Sequence, residues 1–310
     1  MNIVFMGTPD FAVESLSKLY DSGHNIMAVV SQPDRPSGRG MKLKYTPVKE
    51  YAISKDIQVF QTEKIRKDVE LIENIRKLKP DVIVVVAFGQ ILPKEVLDIP
   101  KYGCVNVHGS LLPEYRGAAP MQWSLINGDE YTGITTMFMD VGMDTGDMLL
   151  KEKIKIEDDD NFGTLYEKMK KLGGKLIVET LEKIADGTAT RIKQGDEHTL
   201  APMISKETCK IDWNKSARDI RNLIRGLNPM PGAYTSMDGQ MIKIWDSKIV
   251  DEKSEELPGT IILSDSKKGL YVATGDGVLG IEEIQLPNAR RMNVLECLRG
   301  KKVEQGTILM

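Results

Sequence analysis

Cysteine is scarce in this sequence. The 310 residues include three cysteines, Cys104, Cys209 and Cys297, and no two of them form a Cys-x-x-Cys pair. Disulfide-stapled domains and structural zinc sites need several cysteines at short, regular spacings. We therefore predict a protein of the reducing cytosol with neither a disulfide framework nor a metal site.

Long apolar runs are also missing. The longest uninterrupted one is Val82–Phe88, seven residues, whereas a membrane-spanning helix needs about 20. The first residues do not combine a basic segment with a long apolar stretch, which is the pattern of an export signal. The sequence therefore predicts a cytoplasmic protein.

The chain has no surplus of positive charge. Its 42 Lys and Arg residues face 45 Asp and Glu residues, for a formal net charge of −3. Nucleic-acid-binding domains usually carry a basic surplus, so any contact with nucleic acid must come from local patches. Hydrophobic residues make up 41% of the chain, which is enough to build the cores of roughly two domains.

The first part of the chain alternates between strand and helix patterns. The runs typical of buried strands are Ile3–Met6, Ile26–Val30, Ile57–Phe60, Asp81–Val86 and Gly103–His108. Helical patterns separate them, the first with Thr8 as its expected N-cap, and a long one covers residues 161–185. Such alternation is typical of parallel βαβ units. We predict an α/β domain over residues 1–189, with a Rossmann-like, doubly wound, mostly parallel sheet.

The last third of the chain has a different pattern. A polar stretch over residues 190–207 predicts a surface linker. An amphipathic helix pattern then begins at Ser216, and five short strand patterns follow it, at residues 233–237, 240–245, 260–263, 270–274 and 278–286. The pair Asp238-Gly239 between the first two is a strong hairpin signal. Short strands at this spacing predict a smaller, OB-like β-barrel domain over residues 208–310.

Two polar side chains end the fifth strand pattern. The strand reads Cys104-Val105-Asn106-Val107-His108, and alternation places Asn106 and His108 on the same face. His108 falls at the carboxyl end, the edge where open α/β sheets bind ligands. The alternative is a histidine and an asparagine satisfied inside a helix–sheet interface. Their pairing at this edge favours a functional site.

Two irregular segments could complete that site. Ser110–Pro113 follows the strand directly, and small residues in a loop let backbone groups approach a planar ligand. The segment Asp140–Asp147 carries three acids among glycines, in a spacing that does not fit an EF-hand calcium loop. Asp140 or Asp144 could orient an imidazole or accept a proton, and spacing alone does not choose between them.

A nucleotide-binding loop is not apparent. Met6–Asp10 follows the first strand pattern but lacks the second and third glycines of the G-x-G-x-x-G motif, and the chain has no P-loop. Hydride transfer with NAD is therefore disfavoured.

At its motifs the chain resembles the folate-dependent formyltransferases. The matching stretches are Gly7–Phe11, Gln32–Pro36 with Gly38-Arg39-Gly40, Asn106–Pro113, Arg116–Pro120 and Asp140–Asp147. The Asn-x-His-x-Ser-Leu-Leu-Pro string with a downstream Asp resembles that class as a whole. The insert rich in glycine and arginine, together with the C-terminal domain, narrows the resemblance to the methionyl-tRNA formyltransferase family, and it covers essentially the whole chain.

This resemblance implies a reaction and a set of roles. A formyl group would move from 10-formyltetrahydrofolate to the α-amino group of methionine on initiator tRNA, giving N-formylmethionyl-tRNA for translation initiation. No metal would be required. The catalytic residues would be Asn106, His108 and Asp144. The residues lining the folate site would be Ser110, Leu111, Leu112 and Pro113.

Basic residues cluster in two places that could contact RNA phosphates. Residues 31–50 contain five basic residues and two acids, and the resemblance implies that this loop engages the acceptor stem, with Arg39 the best match. The helix after Ser216 carries arginines opposite its apolar face. A solvated surface is the alternative in both places. The predicted tRNA-binding residues are Arg35, Arg39, Lys42, Lys44, Arg218, Arg221 and Arg225.

Two other functions stay open at this point. One is the same formyl transfer to an amino-sugar nucleotide, which would leave the basic loop and the C-terminal domain without a role. The other is a non-catalytic RNA-binding protein, which would leave the combination of Asn106, His108 and Asp144 unexplained. No feature marks an oligomer, and a monomer is expected.

Overall fold

The computed structural model describes residues 1–37, 42–251, 253–301 and 303–310. These residues form two compact units. The first unit is Met1–Pro120, Thr132–Ile154 and Tyr166–Pro202, and the second is Met121–Tyr131, Lys155–Leu165 and Met203–Met310. Within the described ranges, no helix has both the length and the apolar character needed to cross a bilayer.

The helices and strands up to residue 201 follow one another closely along the chain. They are β1 (Asn2–Gly7), α1 (Asp10–Asp21), β2 (Asn25–Ser31), β3 (Arg35–Ser37), β4 (Lys42–Lys44), α2 (Pro47–Ser54), β5 (Gln58–Gln61), α3 (Val69–Leu78), β6 (Val82–Val86), α4 (Lys94–Leu97), β7 (Cys104–His108), β8 (Arg116–Gly117), α5 (Pro120–Ile126), β9 (Tyr131–Phe138), β10 (Met148–Lys155), α6 (Phe162–Asp186) and β11 (Leu200–Ala201).

A seven-stranded sheet organises the first unit, in the order β10-β9-β7-β6-β1-β2-β5. From β5 to β7 the paired strands are parallel, whereas β9 runs antiparallel to β7. The chain builds the sheet outward from β1 in both directions, and the carboxyl edge at such a reversal is where open α/β sheets bind ligands. The predicted Rossmann-like, mostly parallel α/β fold is confirmed.

The central strands are buried because their sequence is apolar on both faces. All five residues of β6, Val-Ile-Val-Val-Val, are buried, as expected for a strand covered on both sides of a parallel sheet. The five residues of β7 are buried as well, although two of them, Asn106 and His108, are polar. A strand in the middle of the sheet therefore carries both polar candidates.

The start of α1 differs from the sequence prediction. The helix begins at Asp10 and is preceded by Pro9, which has no side chain able to cap it. Thr8 instead accepts a hydrogen bond from the Gln32 backbone N–H through Oγ1, at 3.3 Å. The prediction that Thr8 caps the helix is therefore wrong, because the hydroxyl is used to tie β1 to the end of β2.

An antiparallel sheet and two helices form most of the second unit. Its elements after residue 202 are α7 (Ala217–Gly226), β12 (Ala233–Met237), β13 (Gln240–Val250), β14 (Ile261–Asp265), β15 (Gly269–Ala273), β16 (Val278–Gln285), β17 (Met292–Asn293) and α8 (Val294–Gly300). The sheet order is β12-β13-β16-β15-β14, and β17 pairs with β16. The predicted second, smaller β domain is confirmed, its sheet is antiparallel, and its closure into an OB-like barrel stays a prediction.

Local signals in the sequence explain the second unit well. Asp238 and Gly239 both have positive φ angles, 50° and 73°, as a two-residue hairpin turn requires. Ser216 caps α7 by accepting a hydrogen bond from the Asp219 N–H at 3.1 Å. The apolar face of α7, which includes Ile220, is buried in a core shared with the sheet and α8.

Candidate active site

Asn106 and His108 lie near the carboxyl end of β7, between β6 and β9. Only 9% of Asn106 and 5% of His108 is exposed. Their spacing of two residues along a strand puts both side chains on one face. The side-chain amide of Asn106 has no hydrogen-bonding partner among the described residues. A nearly buried amide in that state is available to a ligand.

The His108 ring is anchored at one nitrogen. Its Nε2 lies 2.9 Å from the backbone carbonyl oxygen of Tyr115, and because a carbonyl only accepts, Nε2 carries a hydrogen and donates it. The other nitrogen, Nδ1, lies 3.6 Å from Oδ1 of Asp144. That distance is longer than a hydrogen bond, so Nδ1 faces the carboxylate without being bonded to it.

The Asp144 carboxylate is held from the other side. Its Oδ2 accepts a hydrogen bond from the backbone N–H of Gly117 at 2.9 Å, and its side chain is 15% exposed. Asp144 has a φ of +55°, in the left-handed region that few residues other than glycine adopt. A backbone held in this region is common where a side chain must be aimed at a functional site.

The structure distinguishes the two candidate carboxylates of the Asp140–Asp147 loop. Asp140 is exposed, and its Oδ1 accepts from the Gly142 N–H at 2.9 Å and from the Thr145 hydroxyl at 2.6 Å. It therefore shapes its own loop, as a short polar side chain does in many turns. Asp144 is the carboxylate that faces His108.

The segment after β7 is fixed by polar contacts with β9. The Ser110 carbonyl accepts from the Thr135 hydroxyl at 2.7 Å, and the same hydroxyl oxygen accepts from the Leu112 N–H at 3.0 Å. Ser110 itself is fully buried and donates to the Glu114 carbonyl at 2.6 Å. These contacts give the backbone of this segment a defined shape next to His108.

The four residues predicted to line a folate site differ in exposure. Leu111 and Pro113 are half-buried, whereas the Leu112 side chain, like Ser110, is fully buried. The ammonium of Lys151 donates a hydrogen bond to the Leu112 carbonyl, and burial lowers the pKa of Lys151. Side-chain contact with a ligand is therefore open to Leu111 and Pro113, whereas the side chains of Ser110 and Leu112 are buried away from one.

The backbone groups that hold the site were missed by sequence reasoning. The Tyr115 carbonyl and the Gly117 N–H carry no residue-specific signal, because nearly every residue has both groups. Gly117 offers one indirect clue. Its φ is +127°, and a Cβ there would lie 2.6 Å from the Ala201 carbonyl oxygen, so this position requires glycine.

The predicted RNA-binding loop begins and ends as a short two-stranded ribbon. Arg35 pairs with Lys44 across β3 and β4, and both residues are exposed. Arg39 lies outside the described residues, and Lys42 is placed on β4 by its backbone alone. A cleft of about 480 Å³ is lined by Thr8, Gln32, Pro33, Arg35, Lys44, Tyr45, Thr46 and Pro47.

An ion pair closes the base of this ribbon. Lys49 Nζ lies 2.5 Å from Oδ2 of Asp34, and the Gln61 amide donates to Oδ1 of Asp34 at 2.9 Å. Burial raises the pKa of Asp34, but the hydrogen bonds from Lys49 and Gln61 outweigh it and hold that pKa below its usual value. The basic residues of the ribbon thus extend from a fixed base.

The three arginines of α7 have different surroundings. Arg218 is exposed. Arg221 donates to both carboxylate oxygens of Asp158, at 3.0 and 3.1 Å. Arg225 donates to Oδ1 of Asn222 at 2.9 Å, and burial lowers its pKa. Two of the three guanidinium groups are therefore engaged within the second unit, and contact of this stripe with RNA stays a prediction.

No group of three or more His, Cys, Asp or Glu residues is placed to hold a metal ion within the part of the chain that the structure describes. The groups that the site does offer are an amide, an imidazole, a carboxylate and backbone N–H groups. Such groups serve proton transfer and the stabilisation of a developing oxyanion.

Comparison with known proteins covers nearly the whole chain. The family described as formyl transferase matches residues 1–181, and the one described as formyl transferase, C-terminal domain, matches residues 203–302. Two full-length relatives carry the name methionyl-tRNA formyltransferase. The protein from Caldanaerobacter subterraneus subsp. tengcongensis is 51% identical over 310 residues, and that from Clostridioides difficile is 53% identical over 310 residues, each covering 100% of both chains.

A solved structure shares the fold at low identity. HypX from Aquifex aeolicus, in complex with tetrahydrofolic acid, aligns with a TM-score of 0.65 at 15% identity. The alignment covers 98% of this chain and 50% of that chain, so this chain spans half the length of HypX.

Proposed function

Since this chain belongs to the methionyl-tRNA formyltransferase family, we propose that Asn106, His108 and Asp144 are its catalytic residues. The protein transfers a formyl group from 10-formyltetrahydrofolate to the α-amino group of methionine on initiator tRNA. The observation that carries the assignment is the His108 ring, anchored through Nε2 with its Nδ1 turned toward Asp144. A histidine that only filled the helix–sheet interface would not require a carboxylate facing its second nitrogen at the ligand-binding edge of the sheet.

Two donors on one face suit the charge that this reaction develops. The amine attacks the formyl carbon, and negative charge builds on the formyl oxygen as the tetrahedral intermediate forms. The Asn106 amide and a protonated Nδ1 of His108 donate hydrogen bonds to that oxygen. A fixed donor of this kind is worth about 3–4 kcal/mol where water is excluded.

Asp144 has an electrostatic role and a role in proton transfer. Its carboxylate stabilises the positive charge on the His108 ring, and it accepts the proton that the amine nitrogen must lose once that nitrogen has bonded to the formyl carbon. Collapse of the intermediate breaks the bond to N10 of the folate, which takes up one proton. The proton that the amine loses and the proton that N10 gains balance, so the enzyme ends each cycle in its starting state.

The remaining assignments follow the same division of the chain. We propose that residues 1–189 carry catalysis, that 190–207 connect the domains and that 208–310 face the tRNA. Residues 110–113 line the folate site, and the basic ribbon contacts the acceptor stem. The protein works as a monomer in the cytoplasm.

The direct test of the proposed function compares two acceptors in a formylation assay with 10-formyltetrahydrofolate. One acceptor is methionyl-initiator tRNA, which should be formylated, and the other is an amino-sugar nucleotide, which should not. Product from the sugar nucleotide alone would contradict the proposal.

Asn106→Ala is expected to lower kcat by about 10²- to 10³-fold, because one oxyanion donor is lost. The KM values for tRNA and for folate should change little, because the interaction forms in the transition state. Steady-state formylation rates at saturating substrates measure the effect. An unchanged kcat with a raised folate KM would instead make Asn106 a binding residue.

Replacing both Arg35 and Lys44 by alanine is expected to raise the KM for tRNA about tenfold or more at physiological salt and to leave the folate KM unchanged. Each lost phosphate contact should also reduce the slope of log(kcat/KM) against log[salt] by about 0.7–0.9. The same assay applies to Arg39→Ala. A salt slope equal to that of the wild type would show that neither side chain contacts phosphate.

A further inference from the structure

The stretch Arg191–Ala201 contains one half-buried polar side chain, that of Gln194. Residues 191–200 are exposed except for Gln194, which is half-buried. Upstream of it, Ile192 and Met148 exchange backbone hydrogen bonds of 2.8 and 2.9 Å. Downstream, β11 pairs in parallel with β8. The segment is therefore fixed to the first unit at both ends, and Gln194 lies between the two attachments.

All the hydrogen-bonding groups of the Gln194 amide are directed at the site. Its Nε2 donates to the carbonyl oxygens of Asp144 and Gly146, both at 2.8 Å. Its Oε1 accepts from Nε and Nη2 of Arg116, at 3.0 and 2.8 Å. The orientation of the amide is unambiguous, because the reverse one would put an acceptor against two carbonyls and donors against a guanidinium.

The two carbonyls that Gln194 holds define the backbone around the proposed catalytic carboxylate. One belongs to Asp144 itself, at a φ of +55°, and the other lies two residues later. A residue in this sparsely populated region stays there only when its surroundings fix it. The Gln194 amide does so by joining two carbonyls of the same turn, and it connects that turn to Arg116, next to the Gly117 N–H that binds the carboxylate.

The same segment also fixes the group that anchors His108. Thr199 accepts the Tyr115 N–H through Oγ1 at 2.8 Å and the Arg116 N–H through its carbonyl at 2.9 Å. The carbonyl of Tyr115 in turn accepts from His108 Nε2. Contacts from one short segment therefore determine the position of both members of the His108–Asp144 pair.

We propose that Gln194 is a positioning residue for formyl transfer, which sets the place of the Asp144 carboxylate relative to His108 Nδ1. Gln194 does not touch the reacting atoms and acts through the turn at Asp144. This role rests on the proposed catalytic assignment of Asp144. Part of the stretch over residues 190–207, which the sequence predicts to be a linker, would then contribute to catalysis.

The test replaces Gln194 in two ways and measures kcat and KM separately. Gln194→Glu keeps an acceptor for Arg116 but loses both donors to the Asp144 turn, and Gln194→Met loses all four hydrogen bonds at nearly constant volume. We expect kcat to fall between about 10- and 100-fold in both variants, because a displacement of about 1 Å at a catalytic group costs up to that much. The KM values for tRNA and folate should stay within about threefold of wild type, since substrate contacts are untouched.

Gln58→Glu is the matched control, because Gln58 is exposed on β5 in the same unit and the charge change is identical. It should keep wild-type kcat. If the Gln194 variants also keep wild-type kcat, or lose activity only in proportion to unfolded protein at the assay temperature, the proposal is overturned.

A double variant separates this proposal from the one it rests on. In an Asp144→Asn background, Gln194→Glu should cost less than about threefold, because residues that act through one group are not additive. A further 10- to 100-fold loss of kcat in that background would show that Gln194 acts through a group other than the Asp144 carboxylate. If Asp144→Asn alone is fully active, the catalytic assignment fails. If Asp144→Asn is impaired while the Gln194 variants are not, only the positioning role fails.

Discussion

His108→Ala is expected to lower kcat for methionyl-tRNA formylation by about 10³- to 10⁴-fold, because one oxyanion donor and its cationic charge are lost together. The KM values should change little, since the ring acts on the reacting formyl group. His108→Gln should be less impaired, because a side-chain amide can still donate to the formyl oxygen. Formylation of radiolabelled substrate under saturating conditions is sensitive enough to rank the two variants.

The control for this substitution is His24→Ala. His24 lies in the turn after α1, where its Nδ1 is 3.3 Å from the N-terminal amine, and its loss should leave kcat unchanged. Because His108 is buried in β7, the fraction of folded protein must be measured for each variant by thermal unfolding. A folded His108→Ala protein with kcat within tenfold of wild type would contradict the catalytic role.

Asp144→Asn is expected to lower kcat by about 10³-fold. The Asp144 carboxylate lies 3.6 Å from His108 Nδ1, where its negative charge favours the positive charge that develops on the ring during the reaction. The substitution removes the charge but keeps an oxygen that can accept from the Gly117 N–H. The fall in kcat should therefore reflect weaker stabilisation of the positively charged His108 ring and slower proton transfer. The position of the ring should not change, because Nε2 still donates to the Tyr115 carbonyl.

Asp140→Asn is the matched control in the same loop. Its Oδ1 is kept, so the contacts to Gly142 and Thr145 that shape the loop persist. This variant should retain kcat within about threefold, as expected for an exposed side chain away from the chemistry. Equal losses at Asp140 and Asp144 would mean that loop shape, rather than the charge facing His108, determines the rate.

The strand that carries the site was predictable because its pattern is local. A period of two along β7 is sufficient to place Asn106 and His108 on one face. The choice between Asp140 and Asp144 was not predictable, because it depends on the path of a loop and on one residue at positive φ. The anchor of His108 was equally hidden, since it is a backbone carbonyl, of Tyr115, seven positions away.

The strands β9 and β10 were not predicted from the sequence, and for β9 the reason is the polar character of its residues. β9 reads Tyr-Thr-Gly-Ile-Thr-Thr-Met-Phe, and its threonines look polar although Thr132, Thr135 and Thr136 are buried. Thr135 and Thr136 satisfy their hydroxyls with groups that are distant in sequence. Polarity counts cannot anticipate such long-range partners.

The arginines of α7 also show that sequence patterns do not reveal partners that are distant along the chain. Helical spacing correctly predicts a helix with Arg218, Arg221 and Arg225 outside its apolar face. It does not reveal that Asp158, 63 positions earlier, binds Arg221. Gln194 gave even less signal, because a single glutamine in a polar stretch is ordinary surface until its partners are known.

The measurement that tests the site most directly is a double-mutant cycle between His108 and Asp144, with single-turnover rate constants for formyl transfer. If the carboxylate works through the imidazole, the His108→Ala, Asp144→Asn double variant should react within about threefold of His108→Ala alone, as found for groups that act as a unit. If the two losses multiply, the residues contribute independently, and the account of a charge-stabilised imidazolium at the formyl oxygen is wrong.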